Sequence, residues 1–192
     1  MDSDDVVDVI VVGAGVIGAT IAWRAAAAGR RVTLVDPRPA SGASRVAGGM
    51  LAPITEAWPG EELLLELGSA ALRQWPSFAG ELRDLGHDPG LRTEGTLVVA
   101  VDAGDRAELD TLSGHLAALD RPAEVLTGKQ LRTLEPSLGA ARAGLSVPDD
   151  LSVDNQRLMA ALLAAGRQAG VTMVAEPVTV VRSGAVEYAD GS

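Results

Sequence analysis

The chain has 192 residues, 47% of them hydrophobic, a formal net charge of −10 and no cysteine. That apolar content can bury a core and excludes a disordered polymer, and an acidic balance without a basic cluster makes nucleic acid and anionic membrane surfaces poor partners. Lacking cysteine, the sequence has no disulfide, thiolate metal site, nucleophilic thiol or thioether-linked cofactor.

Residues 1–5 are acidic and polar, unlike the basic start of a signal peptide. No apolar run approaches the ~20 residues that span a bilayer. A cytoplasmic protein without a membrane partner is expected. Val6 to Val12 reads as a strand whose nearly continuous apolar character suits a parallel strand buried on both faces. It opens directly into Gly13-Ala14-Gly15-Val16-Ile17-Gly18, a G-x-G-x-x-G turn, and a helix from Val16 to Ala28 stopped by Gly29. The first glycine permits the tight turn, the second lets a pyrophosphate approach the backbone, and the third lets helix and strand pack closely. The amides at the helix start favour an anion.

A second strand, Arg31 to Val35, ends at Asp36, 18 residues beyond Gly18. A carboxylate at this distance can accept hydrogen bonds from both hydroxyls of an adenosine ribose and repels a 2′-phosphate, which disfavours NADP. NAD and FAD both remain open at this point. Pro37 and Pro39 then enforce a loop, continued by the small residues Ser41 to Ser44. The run Ser44-Arg45-Val46-Ala47-Gly48-Gly49-Met50-Leu51 shifts the choice to a flavin, because small residues let backbone amides approach the pyrophosphate and the ring.

Residues 61–85 read as one helix, with Leu63, Leu64, Leu67, Ala71, Leu72, Trp75 and Phe78 as its core stripe. Beyond Pro89, a strand is expected over 95–101, helices over 104–119 and 127–134, the latter capped by Thr127, and a strand over 143–147. Asp154 is the expected N-cap of a helix over 155–169, closed by Gly170 and followed by a strand over 171–175. Val178 to Val181 and Val186 to Tyr188 read as hairpin strands. Asp190-Gly191 is a further hairpin-turn signal, and the strand that returns from it is expected beyond Ser192.

His87 and His115 read as solvated surface residues. Asp149, Asp150 and Asp154 read as loop solvation plus a helix cap, with no metal site. Trp58 and Trp75 fit core or interface packing.

The sequence resembles the D-amino-acid-oxidase-like FAD oxidoreductases, and within them the glycine oxidases of thiamine biosynthesis. The resemblance rests on Val9 to Gly18, on Ser41 to Pro53 and on Glu94-Gly95-Thr96-Leu97. It continues through Leu134 to Leu138 and Val153 to Leu158. It implies an α/β fold: a Rossmann-like FAD-binding domain, a parallel sheet with flanking helices, plus part of an α+β substrate domain, incomplete at the C-terminus. The implied domains are a discontinuous FAD-binding one over 4–88 and 150–192, and part of a substrate-binding one over 89–149.

The implied cofactor is non-covalent FAD. Gly13, Gly15 and Gly18 would belong to the cofactor site, with Val16 and Ile17 by the pyrophosphate and Asp36 on the ribose. Ala43 and Ser44 would meet the phosphate and ribityl region, with Gly48, Gly49 and Met50 along the ring. Val178 would present its backbone to adenine. The implied reaction oxidises a small amino acid with O2 to an imine, releasing ammonia and hydrogen peroxide, in a homo-oligomer when full length. No catalytic residue is assigned, because the family's substrate-carboxylate arginine and last glycine-rich segment are expected beyond Ser192. Residues 1–192 alone are expected to bind FAD weakly and not to turn over. A flavin-dependent dehydrogenase of the same superfamily and a non-catalytic nucleotide-binding remnant are the alternatives.

Overall fold

The computed structural model describes residues 7–189. In chain order it contains β1 (Val9–Val12), α1 (Val16–Ala27), β2 (Val32–Val35), α2 (Ala43–Val46), β3 (Met50–Leu51) and α3 (Glu62–Leu72). Next come α4 (Trp75–Asp84), β4 (Leu91–Arg92), β5 (Thr96–Ala100), α5 (Ala103–Ala118), β6 (Glu124–Thr127) and α6 (Gly128–Leu134). The last are β7 (Ala143–Val147), β8 (Leu151–Val153), α7 (Asn155–Gln168), β9 (Thr172–Val174), β10 (Val178–Arg182) and β11 (Ala185–Tyr188). Val6 and the Asp190-Gly191 turn signal lie outside the described residues.

The chain divides into two compact units. The first comprises the residues up to Gly49, Phe78–Gly90 and those from Asp154 onward. Its sheet has the parallel order β1-β2-β9, with Val9 opposite Val32 and Thr33 opposite Thr172. β2 is central and wholly buried, whereas Val12 of β1 is half exposed. The expected burial of the first strand on both faces is thus corrected: among the described residues β1 pairs with β2 alone and forms a sheet edge. Helices α1 and α7 pack together. α1 buries Ala19, Ala22, Trp23 and Ala26, and α7 buries Leu158, Ala161, Leu162 and Ala165. Small residues on both faces allow the close approach. Each helix ends on a left-handed glycine, with Arg30 N donating to Ala25 O and Val171 N to Gly166 O. β10 and β11 form an antiparallel hairpin.

The second unit comprises Met50–Ser77 and Leu91–Val153. Its larger sheet has the antiparallel order β5-β7-β6, and a small one has the order β3-β8-β4. Ile54, Leu65, Leu109, Leu116, Leu145 and Val147 share its core.

Residues 61–85 form two helices and not one. Pro76 lacks an N–H, and its ring conflicts with the carbonyl four residues earlier, so α3 cannot run through it. The expected core stripe is also corrected: Leu63 is 88% exposed, Leu64 and Leu67 are exposed as well, and α3 buries Leu65, Ser69 and Leu72.

Candidate cofactor site

In the first unit, β1 delivers the chain to a turn at Gly13, whose φ of +99° is open to glycine but strained for other residues. Gly13 N donates to Val35 O at 2.8 Å, tying the turn to the end of β2. A Cβ on Gly18 would lie 1.9 Å from Gly13 O, so only glycine lets the first turn of α1 sit this close. Gly15 is the N-cap of α1 and has no side chain with which to cap it. That role falls to Ser44, whose Oγ accepts from Val16 N at 3.0 Å and lies 3.2 Å from where a Gly15 Cβ would stand.

Asp36, directly after β2, accepts from Ala14 N at 2.7 Å through Oδ2 and from Arg38 N at 2.7 Å through Oδ1. The loop then closes back on the turn, with Ala40 N donating to Ala14 O at 3.1 Å. One hydrogen-bond network therefore joins the glycine turn, Asp36 and Ser44. Ala43 opens α2, and Ile17, in the first turn of α1, stands exposed. Gly48 and Gly49 follow α2, and Val178 lies in β10. Among the described residues none of these last three joins the network. Met50 begins β3, is exposed, and belongs to the second unit.

Asn155 is a part of this site that residue type and spacing did not single out. Its Nδ2 donates to the carbonyls of Ser44 at 3.0 Å and Arg45 at 2.6 Å. Asp154 caps α7 as expected, accepting from Gln156 N and Arg157 N. Asp88 pairs with both Arg83 and Arg157. The Gly90 amide, with those two guanidiniums, holds its carboxyl below the usual value of 3.8.

Several expectations in the second unit and at the histidines are corrected. Asp150 is fully buried, and its carboxylate accepts from Ile54 N at 3.1 Å and Thr55 N at 3.0 Å; it fastens a chain segment and does not solvate a loop. Trp58 is exposed and borders a cavity of about 620 Å³ whose wall includes Val98, Leu109, Leu112 and His115. His115 is half-buried, its Nε2 without a hydrogen-bond partner, and His87 is half-buried too. Both histidines are more enclosed than solvated surface residues. Among the described residues no three acidic or histidine side chains cluster to hold a metal, and no helix is long and apolar enough to cross a membrane.

A glycine turn from a parallel strand into a helix, with a carboxylate at the end of the next strand, defines a dinucleotide-binding protein. The chain belongs to the DAO family of FAD dependent oxidoreductases, whose profile matches residues 8–191. It is 38% identical over 159 residues to a putative thiamine biosynthesis oxidoreductase ThiO of Rhizobium etli, covering 81% of this chain and 45% of the relative. It is 30% identical over 192 residues to a glycine oxidase of Bacillus licheniformis, covering 96% of this chain and 50% of that one. The crystal structure of glycine oxidase from Geobacillus kaustophilus superposes with a TM-score of 0.86 at 30% identity, covering 96% of this chain and 52% of that chain. The chain thus spans about half the length of the curated relatives it matches.

The residues present fit FAD. The cradle between Gly15 and Ser44 would be narrowed by any Cβ. Each Asp36 oxygen accepts one amide and keeps a further lone pair for a ribose hydroxyl.

Proposed function

We propose that this chain supplies the dinucleotide seat of an oxidase that converts glycine or another small amino acid to its imine, in formation of the thiamine thiazole. The observation that carries the reading is the network joining the glycine turn to Asp36 and Ser44, in a chain whose relatives are named glycine oxidase and ThiO. In this reading Gly13 and Gly15 admit the pyrophosphate to the backbone, Gly18 lets α1 pack against the turn, and Val16 and Ile17 lie by the pyrophosphate at the positive end of α1, with the Val16 amide held by Ser44. Asp36 binds the adenosine ribose, and Val178 meets adenine through its backbone. Ala43 and Ser44 serve the phosphate and ribityl region, with Gly48, Gly49 and Met50 along the flavin ring. The first unit is the FAD-binding domain, and the second contributes to the substrate domain.

FAD held by the glycine turn, Asp36 and Ser44 would supply an acceptor for the hydride of the substrate Cα and would let both electrons pass, with two protons, to O2 as hydrogen peroxide. The protein's part is to orient the substrate and exclude competing paths. An amine that arrives deprotonated needs no acid–base side chain, so none of this chain's residues is given that role. Water hydrolyses the released imine to an oxo acid and ammonia.

The test is a peroxide assay on the polypeptide at its natural length, saturated with FAD and offered glycine, sarcosine and D-alanine. Equal yields of ammonia and peroxide from glycine are expected. Oxidation that proceeds only with an artificial electron carrier, without peroxide, would contradict the oxidase reading in favour of a dehydrogenase.

A further inference from the structure

We propose that Asn155, the first residue of α7, is a positioning residue for the pyrophosphate end of the cofactor and acts through Ser44. The inference rests on the FAD seat described above. Both partners of Asn155 Nδ2, the carbonyls of Ser44 and Arg45, can only accept, so the amide nitrogen must be the atom that faces them. Those carbonyls belong to α2, which has four residues and is too short to hold its own shape. α7 is the opposite case: fourteen residues long, capped by Asp154 and buried along one side. Asn155 therefore lends the rigidity of α7 to a turn that has little of its own.

What it steadies is Ser44, whose hydroxyl accepts from Val16 N at 3.0 Å. A serine hydroxyl that accepts from an amide keeps its own O–H as a donor. Held here, that donor extends the row of α1 amides toward a phosphate oxygen. The chain of contacts runs from Asn155 through Ser44 to Val16, from the start of one helix to the start of another. If Ser44 shifts, the first amide of α1 loses its partner and the cradle beside Gly15 loses one wall.

Asn155→Asp separates this role from a merely structural one. The replacement has nearly the same size but no donor, and it sets a carboxylate against two carbonyl oxygens. An acid in the first turn of a helix is favourable, so α7 itself is not weakened. With the natural-length protein, the FAD dissociation constant should rise about tenfold to a hundredfold. The melting temperature of the apoprotein should stay level or rise, and amide exchange at Val16 should become faster. Lowering the pH through the carboxyl range restores one proton to the introduced group. The ratio of variant to wild-type affinity should then narrow, since Asp154, Arg157 and Arg45 are the same in both proteins. Unchanged FAD affinity with unchanged Val16 exchange overturns the proposal. So does a loss of affinity matched by a fall in melting temperature without recovery at low pH. Wild-type protein that takes up no flavin overturns the FAD seat as well, and is told apart because it needs no variant to appear.

Discussion

Asp150 has no solvent exposure, and both its oxygens accept backbone amides, from Ile54 and from Thr55. Removing that carboxylate leaves two buried donors without partners. Asp150→Ala should therefore destabilise the protein by roughly 2–4 kcal/mol in urea unfolding, and Asp150→Asn, which keeps one acceptor oxygen, by about half as much. A neutral alanine variant would show that water reaches these amides after all. Adjacent aspartates in one loop carry no sequence mark that separates the solvated from the buried one, and the reading of Asp150 as loop solvation failed for that reason. The partner amides lie 95 and 96 positions away. Asp36 and the three glycines were legible, because strand, turn and helix are contiguous and fix one another's geometry. Asn155 was legible only as a helix start, since its partners in α2 lie 110 and 111 positions earlier.

At the scale of elements, the long helices and strands followed from periodicity and end signals: α1 and α7 stop at their glycines, and α6 is capped by Thr127 with Gln130 reciprocating. α5 was placed by its pattern, while its cap, the reciprocal box of Asp102 and Asp105, went unread. α2, β3, β4 and β8 are two to four residues long, below the length at which a period can be counted. The leucines of α3 misled in a different way. Leu63, Leu64 and Leu67 keep helical spacing yet face solvent, because spacing identifies a face and not what covers it. In the first unit Asp88 bridges Arg83, near the end of α4, and Arg157 of α7. Its folded carboxyl is held below 3.8 by the Gly90 amide and the two arginines. The folded state thus favours the charged form, so the contribution is complete above about 3.8 and disappears as the pH falls through the lower folded value. Asp88→Asn should lower the melting temperature at neutral pH, and the gap to wild type should close under acid. A gap that persists unchanged to the lowest pH would contradict the ion-pair account.

At the scale of the whole molecule, the order β1-β2-β9 accounts for the proposed cofactor seat at this end of the first unit. Gly13 follows β1, Asp36 follows β2, and Asp36 N donates to Val174 O at the end of β9, so the strand ends of a parallel sheet gather the residues proposed to bind the dinucleotide. The chain returns to this unit after the second one, and that return brings Asn155 to Ser44. The proposed seat reads the adenosine and pyrophosphate of FAD, not the flavin ring alone. Parallel equilibrium titrations of the natural-length apoprotein with FAD and with FMN test it most directly, since FMN carries the same ring but neither of those groups. FAD should bind at least about a hundredfold more tightly than FMN; equal affinity for the two flavins would contradict a seat for the adenosine and pyrophosphate.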